Sequence, residues 1–170
     1  MKITILNGSP RKQNTAAMIN AFTEGAKETG HEVNILNVAK MQIHDCIGCE
    51  YCHTKGNGTC AIKDDMQKVI PVCNESDMIV FATPVYYRGI TSYLSAVIHR
   101  MYCIGKPANP TKAALLISSQ NPGTWKSIEF YYKDLLDLIQ LKDCGIRALF
   151  GEENMSEDKL SEIREFAKTL

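Results

Sequence analysis

The sequence predicts a three-layer, doubly wound α/β fold built on a five-stranded parallel sheet of order 2-1-3-4-5. Three observations lead to this prediction. Short apolar runs alternate with segments of helical periodicity, several runs are apolar throughout, and the chain has 170 residues. Strands covered by helices on both faces have this uninterrupted apolar character. We expect residues 1–170 to form a single domain, because this length suits one core.

The composition argues against several classes of function. Lys and Arg together number 19, as do Asp and Glu, so the formal net charge is zero and no global field attracts nucleic-acid phosphates or anionic lipid. The longest apolar runs, about five to seven residues, are far shorter than the roughly 18 that span a bilayer. The first residues lack the long apolar stretch of a signal peptide. We therefore expect a cytoplasmic protein with no nucleic-acid or membrane partner.

The chain opens with a predicted strand, helix and strand. Residues 2–6 form the first apolar run. Apolar side chains then recur at every fourth position from Met18 to Ala26, ahead of Gly30, which predicts a helix that ends at a glycine. Residues 33–38 are the second predicted strand.

The later elements alternate in the same way. A short helix is predicted to start near Asp64, and Ser156 is the expected N-cap of the last helix. The other predicted strands are residues 78–82, 113–118 and 146–150. Between them lie two helical stripes, at residues 94–101 and 128–139. In a sheet of order 2-1-3-4-5, ligands bind beyond the carboxyl ends of strands 1 and 3.

The loop after the first strand has the residues of a phosphate site. The hydroxyls of Ser9 and Thr15 can donate hydrogen bonds, Arg11 can pair bidentately with a phosphate, and Asn14 can donate its amide or cap the helix. Gln13 is the remaining candidate contact. The loop has one glycine and matches neither the dinucleotide nor the triphosphate fingerprint, which favours a single phosphate monoester such as that of FMN. The alternative is a capped turn with two solvated cations.

The loop after the third strand is suited to a flat ligand. Pro84 fixes its turn, and Tyr86 and Tyr87 offer ring faces for stacking. Val85 is a further candidate contact in this loop, and Ser119, after the fourth strand, is a candidate for the third side of the pocket. The alternative is that the tyrosines only pack the loop against its neighbours.

These loops resemble those of the NAD(P)H-dependent FMN reductase branch of the flavodoxin superfamily. Residues 8–12 read GSPRK and lead to Asn14 and Thr15, as in the FMN-phosphate loop of that family. Residues 84–86 read PVY and resemble its isoalloxazine loop. Arg100 fits the last position of the K-x-x-x-D-R helix that follows.

The resemblance implies a flavodoxin-like fold, FMN as cofactor, NAD(P)H as a candidate electron donor, and assembly into a homodimer or homotetramer. In the K-x-x-x-D-R helix, Ser95 and His99 stand at the positions of Lys and Asp. Catalytic residues are not identified by the sequence.

Four of the seven cysteines form a cluster with the spacing C-x2-C-x2-C-x7-C, in a long loop at about residues 41–63. Three thiolates at this spacing and a fourth beyond them can supply the ligands of a [4Fe-4S] cluster. Zinc sites more often use two separated pairs of ligands. Free or redox-active thiols, and zinc or another metal, stay open as alternatives. The candidate metal ligands are Cys46, Cys49, Cys52 and Cys60, whereas Cys73, Cys103 and Cys144 are expected to fill the core.

The cysteine run resembles that of the iron-sulfur flavoproteins, a subgroup of the same family. This resemblance implies an FMN-binding redox flavoprotein that moves electrons between a reduced donor, FMN and a [4Fe-4S] cluster. One alternative is a cluster-free NAD(P)H-dependent flavin, quinone or nitro reductase. Another is an electron carrier without a substrate of its own, for which ferredoxin is a candidate partner.

Overall fold

The computed structural model describes all of residues 1–170 and contains one five-stranded sheet. Its strands are β1 (Lys2–Asn7), β2 (Glu32–Leu36), β3 (Met78–Pro84), β4 (Lys112–Ser119) and β5 (Lys142–Phe150). Their order is β2-β1-β3-β4-β5, and every pairing is parallel. The predicted fold class and strand order are confirmed.

Helices cover both faces of the sheet. They are α1 (Asn14–Glu28), α2 (Tyr51–Thr54), α3 (Met66–Asn74), α4 (Ser92–Arg100), α5 (Lys126–Ile139) and α6 (Glu157–Lys168). One core cluster joins α1 and α6 to the sheet, and a second joins α3, α4 and α5 to it. This arrangement explains why all seven residues of β3 are buried and why the strand reads as an unbroken apolar run. None of the helices combines the length and the apolar character that a bilayer crossing requires.

Two strand boundaries differ from the prediction. β2 ends at Leu36, because the 3-10 turn Val38–Lys40 begins just beyond it. β5 begins at Lys142, four positions before the apolar run, and its pairing with β4 shifts register near its start. There the Asp143 carboxylate accepts hydrogen bonds from the Gly145 amide, at 2.8 Å, and from a tyrosine hydroxyl. Such side-chain contacts leave no periodic signal in the sequence.

Two local details were not predicted. Ser156 occupies the N-cap position of α6, as expected, but its side chain makes no capping hydrogen bond. The helical turn Tyr51–Thr54, inside the cysteine loop, was not predicted, because a single turn is too short to show periodicity.

The carboxyl ends of β1 and β3 meet in the middle of the sheet. The amide of Gly8 donates to the carbonyl of Ala82 at 2.9 Å, and the hydroxyl of Thr91 donates to the carbonyl of Gly8 at 2.8 Å. A Cβ at Gly8 would lie 2.7 Å from the Thr91 oxygen and 2.8 Å from Leu94 Cβ. Glycine is therefore required where these two loops touch.

Candidate functional site

The helix α1 begins directly after the loop that follows β1, and no side chain caps its first backbone amides. Gln13 occupies the N-cap position and makes no side-chain capping bond, and no acidic residue lies in the first turn. Asn14 is the first helical residue. The unpaired amides and the positive end of the helix dipole suit an anion.

Hydroxyl groups form the wall of this loop. The Ser9 side chain is buried, and its oxygen donates to the carbonyl of Arg11 at 3.2 Å and accepts from the Arg11 amide at 3.3 Å. Thr15 Oγ1 and Ser118 Oγ lie 2.7 Å apart and are both buried. A pair of hydroxyls uses one hydrogen between its members, so the other hydrogen stays available to a ligand.

The loop after β3 ends in a tight two-residue turn. Tyr86 and Gly89 exchange amide-to-carbonyl hydrogen bonds of 2.9 Å, which places Tyr87 and Arg88 at the tip. Both tip residues have left-handed backbone conformations, with φ of 48° and 71°. Such conformations cost about 1–3 kcal/mol each in residues other than glycine, and they cluster at ligand sites. The Tyr87 ring is fully exposed.

Three of the predicted binding segments meet at this edge of the sheet. The guanidinium carbon of Arg11 lies 5.8 Å from the centre of the Tyr86 ring, within cation–π range. The amide of Val85 donates to the carbonyl of Ser118 at 2.8 Å, and Pro84 is the last residue of β3. The segments after β1, β3 and β4 therefore form one continuous rim.

An open cleft of about 550 Å³ lies between the second and third of these segments. Its lining residues are Val85, Tyr87, Arg88, Gln120, Asn121 and Thr124. Of the predicted contacts, only Val85 and Tyr87 line it, and Ser119 does not. Its hydroxyl donates to the Asn121 carbonyl at 2.9 Å, and its carbonyl accepts from the buried Asn154 side chain at 2.8 Å. Asn154 was missed, because its contact with β4 joins residues far apart in sequence.

A larger, mostly apolar cavity of about 820 Å³ lies between α4 and α5. Ile79 and Phe81 of β3 are part of its lining, and it extends to Cys46. Its lining includes none of the predicted FMN contacts, so it is separate from the cleft at the carboxyl edge.

The four clustered cysteines surround one small cavity. All seven cysteines of the chain are free thiols. Cys52 is buried, Cys60 is partly buried, and the other two are exposed. No set of three or more His, Cys, Asp or Glu side chains has the mutual geometry of a metal site. The residues that line the cavity include Cys46, Cys49, Cys52, Cys60, Cys103, His99, Arg100 and Tyr102.

Cys103 is a fifth thiol at this cavity that the sequence did not associate with the others. It is buried, as expected, but it follows α4 and reaches the cavity from another part of the fold. Burial raises the pKa of its thiol, and the nearby sulfurs of Cys60 and Cys52 raise it further. Only the folded chain brings these three cysteines together.

Arg100 anchors both ends of the cysteine loop. Its Nη1 atom donates to the carbonyl of His44 at 2.8 Å, and its Nη2 atom donates to the carbonyl of Ile62 at 3.2 Å. The same guanidinium binds the Asp64 carboxylate bidentately, at 2.7 and 3.2 Å. Burial alone would raise the pKa of Asp64, but hydrogen bonds from Arg100 and from the amides of His44 and Met66 hold it below its ordinary value.

A second anchor joins the loop to α4 at the surface. His99 Nδ1 lies 2.8 Å from Asp45 Oδ1, and His99 Nε2 lies 3.3 Å from Ser95 Oγ. The hydrogen bond from His99 lowers the pKa of Asp45. At the two helix positions where the family pattern has Lys and Asp, His99 thus pairs with a carboxylate of the loop, and Ser95 hydrogen-bonds to the His99 ring.

Comparisons with known proteins identify a family and several relatives. Residues 1–129 match the family model described as NADPH-dependent FMN reductase. An iron-sulfur flavoprotein of Archaeoglobus fulgidus is 37% identical over 100 residues, which cover 59% of this chain and 48% of the relative. The chain therefore spans about half the length of that relative. An iron-sulfur flavoprotein of Methanosarcina thermophila is 33% identical over 135 residues, covering 76% of this chain and 70% of the relative.

A solved structure shares the fold over nearly the whole chain. The NAD(P)H:quinone oxidoreductase of Methanothermobacter marburgensis superposes with a TM-score of 0.74 at 17% identity. The superposition covers 99% of this chain and 94% of that protein. At this identity the likeness concerns the fold alone.

Proposed function

Because the chain belongs to the NADPH-dependent FMN reductase family, we propose that it is an FMN-binding oxidoreductase that also carries a [4Fe-4S] cluster. The proposed cluster ligands are Cys46, Cys49, Cys52 and Cys60. The observation that carries the proposal is the convergence of these four thiols on one cavity. FMN accepts a hydride and releases single electrons, so the pair of cofactors would connect a two-electron donor to one-electron partners.

The rim at the carboxyl edge supplies the groups that FMN requires. The first amides of α1 and the Arg11 guanidinium are donors for the phosphate. The free hydrogen of the Thr15–Ser118 pair is a further donor. The strained tip at Tyr87 borders the cleft into which a flat ring would fit, and the neighbouring Tyr86 ring lies against Arg11.

Arg11→Ala is expected to weaken FMN binding by more than about 1.5 kcal/mol, because a hydrogen bond to a charged group contributes about 1.5–3 kcal/mol. The measurement is titration of the apoprotein with FMN, followed by quenching of flavin fluorescence. Lys12→Ala, which removes the neighbouring exposed cation, is the matched control and should change the affinity little. Equal effects of the two substitutions would mean that Arg11 acts only through overall charge.

The composition of the cysteine cavity fits an iron-sulfur cluster. Five thiols and one carboxylate, that of Glu50, line the cavity. The Glu50 carboxylate accepts hydrogen bonds from the Tyr102 hydroxyl at 3.0 and 3.1 Å, which leaves the thiols as the candidate donor set. Soft thiolates are the usual ligands of such clusters. Gly48 and Glu50 have left-handed backbones, with φ of 64° and 55°. They turn the chain between successive cysteines, which brings ligands two residues apart toward one side. Binding would require the exposed thiols of Cys46 and Cys49 to close on the cavity.

Cys49→Ser is expected to remove bound iron and leave FMN in place, because the two proposed sites share no side chain. The measurement is the iron-to-flavin ratio and the visible spectrum of protein purified without oxygen, with about four irons per flavin expected for the unaltered chain. Cys144→Ser, outside the cavity, is the control and should keep its iron. Unchanged iron in Cys49→Ser would refute the ligand assignment.

A cluster-free NAD(P)H-dependent reductase is the second candidate function. It is favoured by the exposed Tyr87 at an open cleft. Flavin bands without iron, together with rapid anaerobic bleaching by NADH or NADPH, would support this reading. Reduction by ferredoxin alone would support an electron carrier. The cytoplasmic location and the homodimer or homotetramer stay predictions, the second to be checked by analytical ultracentrifugation.

A further inference from the structure

Arg100 is a fully buried cation next to the cysteine cavity. Its side chain is 1% exposed and that of its partner, Asp64, is 3% exposed. A buried guanidinium is costly unless its N–H groups find acceptors. The way in which these groups are used therefore indicates what the residue does.

Four of its five N–H groups have oxygen acceptors. Nη1 donates to His44 and Asp64, and Nη2 donates to Ile62 and Asp64. Each terminal nitrogen carries two hydrogens, so both are fully used. The Nε atom carries the fifth hydrogen, is buried and has no partner. A buried unsatisfied donor of this kind calls for an explanation.

The group that this donor can serve is the sulfur of Cys60. Arg100 and Cys60 line the same small cavity. Nη2 of the same guanidinium donates to the carbonyl of Ile62 at 3.2 Å, which holds the group beside the segment that carries Cys60. Because both terminal nitrogens are saturated by oxygen, Nε–H is the donor left for the sulfur.

We propose that Arg100 is a positioning residue of the cysteine site, and that its Nε–H donates a hydrogen bond to the Cys60 sulfur when that sulfur is a cluster ligand. The inference rests on the proposed function, since it requires a cluster. A donor at a ligand sulfur stabilises the more negative, reduced form of the cluster. Arg100 therefore raises the reduction potential, besides anchoring the loop through His44 and Ile62.

The first test uses the unaltered protein. Arginine labelled with ¹⁵N in the guanidinium group is incorporated, the cluster is reduced, and nitrogen couplings are recorded by pulsed electron paramagnetic resonance. We expect one guanidinium nitrogen coupled to the cluster. An intact cluster without any such coupling would overturn the proposal, whereas a protein without iron would overturn the proposed function instead.

The second test separates the hydrogen bond from the charge. Arg100→Lys keeps the positive charge but lacks Nε–H, so reduction of the cluster should become about tenfold less favourable, a potential lower by about 59 mV. Lys63→Gln removes an exposed cation beside the loop and is the control, with no comparable shift expected because solvent screens that charge. An equilibrium constant for reduction of the Arg100→Lys cluster within twofold of that of the unaltered protein would contradict the proposal. If Arg100→Lys does not fold, the labelling experiment decides.

Discussion

Asp64→Asn is expected to destabilise the protein by about 3–5 kcal/mol, because it leaves the buried Arg100 without its counter-charge. Both side chains are almost completely buried, so water cannot replace the lost partner. The amides of His44 and Met66, which also donate hydrogen bonds to this carboxylate, would lose a charged acceptor as well. The measurement is the free energy of unfolding from urea denaturation of the apoprotein at neutral pH.

The neighbouring Asp65 provides the control. It pairs with Lys68 at 2.6 Å, but the two side chains are 25% and 74% exposed. Exposed pairs contribute about 0–1 kcal/mol, so Asp65→Asn should cost far less than Asp64→Asn. Similar losses for both substitutions would mean that the Asp64–Arg100 pair has no special energetic weight.

The same pair predicts a dependence of stability on pH. The pKa of Asp64 is lower in the folded than in the unfolded protein, so the folded state holds its charged form more strongly. The contribution of Asp64 to the free energy of unfolding is therefore complete above its pKa in the unfolded chain, about 3.9. This contribution is lost as the pH falls through the lower pKa of the folded state. Below about pH 4 the stability difference between the unaltered protein and Asp64→Asn should shrink.

Gly25→Ala is expected to destabilise the protein by about 3 kcal/mol, although alanine ordinarily stabilises a helix by about 1 kcal/mol relative to glycine. A Cβ at Gly25 of α1 would lie 2.1 Å from the carbonyl oxygen of Arg164 in α6 and 2.9 Å from its carbonyl carbon. Both are backbone atoms, so no side-chain rotation relieves the clash. The two helices would have to separate, with loss of packing between Phe22 and Phe166.

Thermal and urea unfolding of Gly25→Ala should be compared with those of Asn20→Ala. Asn20 is an exposed residue of the same helix, so its replacement should be neutral or slightly stabilising. An increase in stability for Gly25→Ala would show that α1 and α6 lie farther apart in solution than these distances indicate.

The parts of the fold that were predictable depend on local pattern. β3 was predictable because a strand buried from Met78 to Pro84 requires an unbroken run of mostly apolar residues. The end of α1 was predictable because Gly30, which has a positive φ, follows it. The order of the strands follows from the alternation of elements and the handedness of their connections. Each of these features depends on many residues along the chain, so the prediction stays the same when a single position is misassigned.

The site was predictable only in outline. The spacing of Cys46, Cys49 and Cys52 identified a candidate ligand run, because neighbouring ligands leave a signature in sequence. Cys103 and Asn154 left none, since their contacts connect segments far apart in the chain. Arg100 was recognised only as a family position, and its bonds to the ends of the loop became visible with the fold.

The cysteine loop lies on the connection from β2, an edge strand, to β3 at the centre of the sheet. The residues of this connection take no part in the pairing of β1 with β2 and β3. Its length and content can therefore change by insertion or deletion while the sheet and the rim at its carboxyl edge keep their form. In evolution, a chain of this kind could acquire or discard a metal-binding segment without rebuilding its flavin site, so related proteins with and without the segment should share one core.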